Sequence, residues 1–435
     1  MAVTPFDSAI WRGLYGDAEL QALFTDSAEI RAMLLVEGAL ARVQARRGMI
    51  PEDAAAAISR GAETALLDPA ALGPGTAMAG VSVPGLVEAF RAALPPAAGA
   101  HVHHGATSQD ILDTGLVLRL RRALDLIDGR LAALVATLGD KASAEADTPM
   151  AARTRSQIAT PTTLGAKIAV WRAPLARSRD RLAELRPRLL RVSLAGASGT
   201  LAAMGPHGPG VAADLAVELG LAHDPVPWHA ARDAVAELGG ALTLITGALG
   251  KFGLDLMLLM QSEVAEVAAG VGGSSSTMPQ KANPVGPEAL VALARANSGI
   301  VGRLYEAQLH AQEREGAAWA LEWLTLPQMV IAAGAALRHA QVLAETLEAR
   351  PEAMARTMAE TRGLLTAEAA TFALAAHMPR PEAQALVKKA CARALAERRR
   401  LAEVLAETTD APVDWKAVLA PEAYLGAAPQ IARGE

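Results

Sequence analysis

The stretch of residues 231–271 contains no proline and is rich in alanine, leucine and glycine. Proline breaks a helix interior because it lacks a backbone N–H and clashes with the preceding turn, so this stretch is predicted to form one long helix. At a rise of 1.5 Å per residue, the helix would span about 60 Å. Helices of this length bury their apolar surface by packing against each other. The run therefore predicts a bundle of long helices.

Aromatic residues make up only 3% of the 435 residues, whereas hydrophobic residues make up 51% and charged residues 20%. Such a composition supports a large core and is too apolar for disorder. A core with few aromatic side chains is built from aliphatic residues and alanine, which favours closely packed helices over a β-sandwich. Period-two runs of β-branched residues extend over a few positions only. We therefore expect an all-α fold in which any sheet is minor.

The net charge of −5 provides no basic surface of the kind that nucleic-acid binding requires. The single cysteine, Cys391, cannot form an intrachain disulfide, which fits a reducing compartment. Residues 1–11 lack the basic and apolar segments of a signal peptide. We therefore expect a cytoplasmic protein without a nucleic-acid partner.

The apolar segment 238–260 is interrupted by Lys251 and Asp255. It never reaches the ~18 uncharged apolar residues that a transmembrane helix needs. We interpret it as a buried helix and expect no membrane partner. A chain with several helices that are apolar nearly all round is a candidate for an oligomer whose helices pack between subunits.

Proline-containing breaks near residues 95–96 and 350–351 predict three domains. These are an amino-terminal helical domain (1–100), a central long-helix bundle (101–345) and a carboxy-terminal helical domain (346–435). Apolar residues at roughly helical spacing predict a surface helix over residues 29–47. Other helices are predicted to be capped by Asp113, to begin at Pro161, and to extend over residues 287–313.

A polar segment lies between two predicted long helices. Residues 274–284 read Ser-Ser-Ser-Thr-Met-Pro-Gln-Lys-Ala-Asn-Pro and follow two glycines. The backbone N–H groups and hydroxyls of such a segment can hold an anion, and a carboxylate substrate would suit it. Composition alone leaves a second interpretation open, a solvated connection between helices.

The order of these residues resembles the signature loop of the fumarase/aspartase superfamily, Gly-Ser-Ser-x-Met-Pro-x-Lys-x-Asn-Pro. Only the first position differs, where Ser274 replaces glycine. Residues 103–114 and 153–161 resemble the first and second conserved regions of the same superfamily, in the same order. The resemblance covers most of the chain. It implies long central helices that associate into a homotetramer, with each active site assembled from three subunits.

Local strings are most similar to the branch of this superfamily that lactonises 3-carboxy-cis,cis-muconate in protocatechuate degradation, the β-ketoadipate pathway. These strings are residues 104–110, 159–165, 228–233 and 322–328. The resemblance implies that one substrate carboxylate closes onto a chain carbon while a proton is delivered to the neighbouring carbon, giving 4-carboxymuconolactone. The aci-carboxylate intermediate carries extra negative charge, which donors already in place stabilise.

By motif position, Ser275 corresponds to the superfamily's catalytic serine and would donate the proton in the lactonising direction. A serine hydroxyl is a poor acid and base in water, so its alkoxide needs stabilisation, for which Lys281 and the loop amides are suited. Asn283 completes the predicted catalytic group. Several side chains are predicted to bind the three substrate carboxylates, with arginine offering a planar fork. They are His103, Thr107, Ser108, Arg153, Arg155, Gln157, Thr160, Ser276, Met278 and Arg314.

Without the motifs, other roles remain open for some of these residues. Thr107 and Ser108 could cap a helix, and His103 could be a core histidine. The arginines at positions 153 and 314 could be ordinary surface residues.

Arg155 stands where argininosuccinate and adenylosuccinate lyases carry an acid histidine. A leaving amine needs protonation, whereas an attacking or leaving carboxylate does not at neutral pH. The absent histidine therefore argues for the lactone reaction over a lyase of the same fold. The cycloisomerase pattern more often has tryptophan here, so Arg155 could accept a more anionic or differently substituted muconate. A third alternative, a non-catalytic structural relative, conflicts with the intact Ser275, Lys281 and Asn283.

Histidines 207, 223 and 229 lack the cysteine or carboxylate spacing of a zinc site. Residues 205–210 are predicted to form a turn and not a phosphate-binding loop, because no strand precedes them and no Gly-Lys-Ser/Thr follows. We expect neither a metal nor another cofactor.

Overall fold

The computed structural model describes residues 4–274, 278 and 281–435, and helices dominate it. The all-α prediction is confirmed. In chain order the α-helices are α1 (Arg12–Tyr15), α2 (Ala18–Ala22), α3 (Asp26–Arg46), α4 (Glu52–Thr64), α5 (Pro69–Ala79), α6 (Val83–Ala92), α7 (Pro96–Gly99), α8 (Ser108–Ala144), α9 (Leu164–Leu189), α10 (Gly208–Leu219), α11 (Asp233–Leu259), α12 (Val285–Glu306), α13 (Gly316–Trp323), α14 (Leu326–Glu345), α15 (Pro351–Glu360), α16 (Ala367–Ala375), α17 (Arg380–Glu397), α18 (Leu401–Thr408), α19 (Trp415–Val418) and α20 (Ala428–Arg433).

The sheets are minor, as predicted. Among the described residues, the strands form three two-stranded antiparallel sheets, which pair β1 with β2, β3 with β6 and β4 with β5. The strands are β1 (Pro149–Thr154), β2 (Gln157–Thr163), β3 (Val267–Ala268), β4 (Gly273–Ser274), β5 (Ala282–Asn283) and β6 (Glu348–Ala349).

The chain divides into two compact units. The first unit comprises Met1–Leu131, Arg177–Gly247 and Ala292–Leu337. The second comprises Ala132–Ala176, Ala248–Val291 and Arg338–Glu435. Helices α8, α9, α11, α12 and α14 contribute residues to both units. The three-domain division remains a prediction.

Small residues let the long helices approach closely inside each unit. In the first unit, a Cβ added at Gly239 of α11 would lie 2.5 Å from a side-chain carbon of Leu304 in α12. In the second unit, a Cβ added at Gly253 of α11 would lie 2.7 Å from the carbonyl oxygen of Pro287. Both distances are far below van der Waals contact, so a larger residue at either position would push the helices apart. These two glycines thus permit close helix packing.

The predicted helix over residues 231–271 is too long, because α11 ends at Leu259. The chain then turns: Ala265 has φ of 49°, and Val267–Ala268 pairs with Glu348–Ala349 as β3 and β6. The absence of proline permitted a continuous helix but could not show that tertiary pairing would end it. The longest described helix is α8, with 37 residues.

Other predicted helix details also need correction. Helix α3 is no surface helix, since 12 of its 21 residues are buried between neighbouring helices. Asp113 lies inside α8 and is buried, so it does not cap that helix. Pro161 lies in β2 instead of beginning a helix, and α12 ends at Glu306. For α3, Asp113 and Pro161, burial or strand pairing overrode a local signal.

Two described helical segments are long and apolar enough to cross a membrane, Asp233–Leu259 and Gly316–Glu345. More than half of the apolar window of each is buried inside the fold, at 56% and 67%. The core helices of soluble proteins have this character. The interpretation of residues 238–260 as a buried helix agrees with this burial.

Candidate functional site

The base of the signature segment is a short β-ladder in the second unit. Gly273 pairs with Asn283, and Ser274 pairs with Ala282. A Cβ added at Gly272 would lie 2.8 Å from the Cβ of Ala282. The two ends of the segment therefore approach so closely that position 272 favours glycine. The ladder brings both ends of the segment together.

The predicted residues of this segment are only partly described. Lys281 and Met278 are exposed, and Asn283 is half-buried. Ser275 and Ser276 lie outside the described residues, so their roles stay predictions. Asn283 lines a cavity of about 260 Å³ together with Arg338 and His339 of α14. These two residues were not predicted from the sequence, because helical spacing alone does not distinguish them from a solvated helix face.

The second conserved region forms the hairpin of β1 and β2. Thr154 pairs with Gln157, which leaves Arg155 and Ser156 as a two-residue turn with φ of 50° and 64°. Positive φ at both positions is typical of a type I′ turn, which favours Asn-Gly or Gly-Gly. Neither residue is glycine, so the turn carries a backbone cost of about 1–2 kcal/mol per residue. Arg155 is exposed at the hairpin tip.

Arg153 makes a two-point ion pair in the same unit. Its Nη1 and Nη2 atoms each lie 2.8 Å from a carboxylate oxygen of Glu266, which is fully buried. The pair joins β1 to the residue that precedes β3. Both terminal nitrogens of the Arg153 guanidinium are thus used by Glu266, and Arg153 has the structural role of linking these two segments. Its predicted contact with substrate remains untested, as do those of the exposed Gln157 and the half-buried Thr160.

The first conserved region lies in the first unit at the amino terminus of α8. Thr107 and Ser108 are half-buried there. The carboxylate of Asp110 accepts from the backbone N–H of Thr107 at 2.9 Å, of Ala195 at 2.8 Å and of Gly196 at 3.0 Å. A side chain of the first helical turn that reaches back in this way fixes the geometry of the helix start. Asp110 thereby holds the Thr107–Ser108 turn against the loop that follows α9.

His103 adopts φ of 63° and is held by the buried carboxylate of Glu37. The backbone N–H of His103 donates to Glu37 at 3.1 Å, and its ring Nδ1 lies 2.6 Å from the other carboxylate oxygen. Because the carboxylate accepts, Nδ1 carries the proton and Nε2 is turned away from Glu37. His103 is thus a fixed ring and is 18% exposed.

Replacing Glu37 by alanine is expected to lower the free energy of unfolding by about 1–3 kcal/mol, because it leaves two partly buried donors of His103 without their acceptor. Thermal unfolding followed by circular dichroism measures this. The control is Glu63→Ala, which removes an exposed carboxylate of α4. Equal melting temperatures for the two variants would contradict the role of Glu37.

Arg314 reaches the same region. Its Nε donates to Oε1 of Gln109 at 2.6 Å, and its Nη2 lies 3.4 Å from Nδ1 of His229. The Nε2 of His229 lies 2.8 Å from Asp110. The first unit therefore brings His103, Thr107, Ser108 and Arg314 together around one end of α8.

A buried ion cluster lies one turn further along α8. Arg232 donates to Asp113 at 2.6 and 3.1 Å and to Glu322 at 2.8 and 2.5 Å. All three side chains are at most 2% exposed. Burial raises the pKa of Glu322 above its ordinary value, and nearby Asp113 adds to this rise while Arg232 opposes it. Burial lowers the pKa of Arg232, but the two carboxylates outweigh it and raise the pKa overall.

The roles of Gln109, Asp110, Asp113, Arg232 and Glu322 were not predicted from the sequence. Segments 228–233 and 322–328 had shown only strings typical of one branch of the superfamily. The structure explains why both carry charged residues, since Arg232 and Glu322 pair inside the first unit. For Glu322 the available signal was a single charged residue in an otherwise apolar helix, α13, since such residues are rarely buried unless paired.

Within the described residues, no group of three or more His, Cys, Asp or Glu side chains could hold a metal ion. The polar groups described above act through hydrogen bonds and ion pairs with each other. In the first unit, Arg314 is held by the neutral acceptors Gln109 and His229, so its positive charge is not cancelled by them and suits an anionic substrate.

Comparisons with known proteins agree with this chemistry. A family model described as lyase matches residues 16–299, and one described as adenylosuccinate lyase C-terminus matches residues 363–434. The chain is 45% identical to a 3-carboxy-cis,cis-muconate cycloisomerase of Pseudomonas aeruginosa over 422 residues, covering 94% of this chain and 92% of the relative. It is 44% identical to one of Pseudomonas putida, covering 89% and 93%. A crystal structure of the 3-carboxy-cis,cis-muconate lactonizing enzyme of Pseudomonas putida superposes with a TM-score of 0.91 at 40% identity, covering 98% of this chain and 97% of that one.

Proposed function

The chain belongs to the lyase family of the fumarase/aspartase superfamily, and from this membership we propose that it is an intramolecular lyase that lactonises 3-carboxy-cis,cis-muconate. The observation that carries the proposal is the 45% identity to a cycloisomerase over 94% of the chain. The product would be 4-carboxymuconolactone, an intermediate of protocatechuate degradation.

In the proposed mechanism, a substrate carboxylate oxygen bonds to one carbon of a C=C double bond, and the π electron pair moves onto the adjacent carboxylate as the aci-carboxylate. Ser275 then gives its proton to the neighbouring carbon, and solvent reprotonates the serine alkoxide. Lys281 and Asn283 stabilise the aci-carboxylate and the serine alkoxide. His103, Thr107, Ser108 and Arg314 supply donors to substrate carboxylates at the start of α8. Arg155, Gln157, Thr160, Ser276 and Met278 are proposed to complete the substrate contacts.

The direct test is to incubate the purified protein with 3-carboxy-cis,cis-muconate and follow loss of the diene absorbance. We expect rapid loss without added metal or cofactor. Argininosuccinate and adenylosuccinate serve as comparison substrates, because their cleavage releases fumarate. If the protein released fumarate from either comparison substrate and left the diene absorbance of the muconate unchanged, it would be an amine lyase and the proposal would be wrong.

The strained hairpin turn supports a substrate role for Arg155. Non-glycine residues at positive φ persist where the surroundings require them, and they cluster at functional sites. The exposed guanidinium at the tip fits one carboxylate of a tricarboxylate or a more anionic substituent on the muconate. On this proposal, the substrate preference of the chain differs from that of cycloisomerases that carry tryptophan at the same position.

Two matched variants test that role. Arg155→Gly and Ser156→Gly both relieve positive φ, so each is expected to stabilise the protein by up to about 1 kcal/mol. Only Arg155→Gly removes a cation, and we expect it to raise KM about 10-fold or more, the equivalent of one charge-assisted hydrogen bond. Melting temperatures and KM values measure the two effects. Equal KM values for the two variants would exclude Arg155 from substrate binding.

We also propose a homotetramer with active sites shared between subunits, located in the cytoplasm. Long helices with exposed apolar residues support association, including Leu244, Leu254 and Leu258 on α11, which are 53%, 42% and 51% exposed. Light scattering coupled to size-exclusion chromatography gives the mass directly. A monomeric mass would contradict the shared site.

A further inference from the structure

We propose that Gln109 and His229 are positioning residues that hold the Arg314 guanidinium in the orientation in which it binds a substrate carboxylate. This inference deepens the proposed function and rests on it. It assigns a role to two buried side chains that do not themselves contact the reacting atoms.

The orientation of the Gln109 amide follows from its partners. Gln109 is fully buried. Its Nε2 donates to Oδ2 of Asp113 at 3.1 Å and to the backbone carbonyl of His229 at 2.9 Å. Both partners are acceptors only, so the amide cannot be reversed. Its Oε1 must therefore face Arg314, whose Nε it accepts at 2.6 Å.

The tautomer of His229 follows in the same way. Its Nε2 lies 2.8 Å from Oδ1 of Asp110. That carboxylate already accepts three backbone N–H groups, so Nε2 is the donor. In the neutral ring, Nδ1 then carries a lone pair, which faces Nη2 of Arg314 at 3.4 Å.

Two acceptors thus hold one edge of the Arg314 guanidinium. Among the described residues, Nη1 of Arg314 has no hydrogen-bond partner, and the side chain is half-buried. Because Nε and Nη2 of the guanidinium are already held, the Arg314 side chain loses less rotational freedom when its free N–H groups bind a carboxylate. Gln109 also donates to Asp113 of the buried ion cluster, and this hydrogen bond fixes the position of the Gln109 amide.

A double-mutant cycle separates positioning from a general structural role. Gln109→Leu removes the acceptor for Nε, and Arg314→Ala removes the cation. We expect Gln109→Leu to raise KM for 3-carboxy-cis,cis-muconate about 10-fold, the size of one hydrogen bond to a charged group, with kcat changed less than about 2-fold. The double variant should bind no more weakly than Arg314→Ala alone. Additive increases in KM would overturn the proposal.

A matched pair at position 229 tests the histidine. His229→Asn places an amide oxygen near the position of Nδ1, where it can still accept from Arg314. His229→Gln instead places its amide nitrogen near the position of Nε2, where it can still donate to Asp110. We expect His229→Asn to keep KM within about 3-fold of the unsubstituted protein, and His229→Gln to raise KM more, while both lose some thermal stability through the altered contact with Asp110. The reverse order of KM values would overturn the role of Nδ1.

Crystal structures of the unsubstituted protein and Gln109→Leu give a readout that does not depend on turnover. We expect the Arg314 side chain to leave its position beside α8 in the variant. An unchanged Arg314 would overturn the proposal. If the unsubstituted protein does not consume the muconate, the proposed function fails, and the position of Arg314 in the two structures still decides whether Gln109 holds it.

Discussion

Replacing Ser275 by alanine is expected to lower kcat for the muconate by about 10²–10⁴-fold, the usual contribution of a positioned proton donor. The substitution removes the only hydroxyl that the signature pattern places at the catalytic position, and alanine cannot carry a proton. Ser275 lies outside the described residues. The adjacent ladder of Gly273–Ser274 and Ala282–Asn283 is described, so the segment's base is formed by backbone hydrogen bonds independent of the Ser275 side chain.

The matched control is Ser274→Gly, which restores the glycine of the superfamily pattern one residue earlier. We expect this variant to keep kcat within a few-fold, because it leaves the hydroxyl of Ser275 in place. Stopped-flow or steady-state loss of diene absorbance gives both values, and circular dichroism establishes that the fold is retained. Near-normal turnover by Ser275→Ala would remove Ser275 from the mechanism.

Replacing Arg232 by leucine is expected to destabilise the protein by about 3–5 kcal/mol, the cost of leaving buried partners without their counterion. Asp113 and Glu322 are each 1% exposed and share this one guanidinium. Without it, two carboxylates face each other in a site with little solvent. Urea or thermal unfolding should show a large downward shift of the midpoint, or insoluble protein on expression.

The control for Arg232 is Arg188→Ala. Arg188 pairs with Glu237, but the two side chains are 51% and 42% exposed. Water screens such a pair, so its loss is expected to shift the unfolding midpoint far less than the loss of Arg232 does. Similar unfolding midpoints for the two variants would contradict the claim that the buried cluster stabilises the first unit.

The helical class of this chain followed from composition and local pattern. Stretches rich in alanine and leucine, with few aromatic residues and only short period-two runs of β-branched residues, leave helices as the efficient way to bury apolar surface. The hairpin of β1 and β2 was not predicted, because Arg155–Ser156 lacks the glycine or asparagine that marks a type I′ turn. Its strain is visible only in the backbone angles.

Helix boundaries depended on contacts that local patterns do not contain. Helix α11 ends before residue 271 because the chain turns to form β3 and because buried Glu266 pairs with Arg153, which is 113 residues away. Asp113 resembles a helix cap in sequence, yet it lies inside α8, and its carboxylate pairs with Arg232, which is 119 residues away. Distant pairs of this kind cannot be recognised from spacing along the chain.

The sequence by itself determined the helical class, the family and the predicted catalytic segment, because ordered motifs and residue propensities are local properties of the chain. The tertiary structure alone decided which polar groups hold which others. Glu37 fixes His103, Asp110 fixes the start of α8, and Gln109 with His229 holds Arg314. Except for the contact between Asp110 and Thr107, these pairings join residues far apart in sequence. They matter energetically because a buried polar group without a partner is costly.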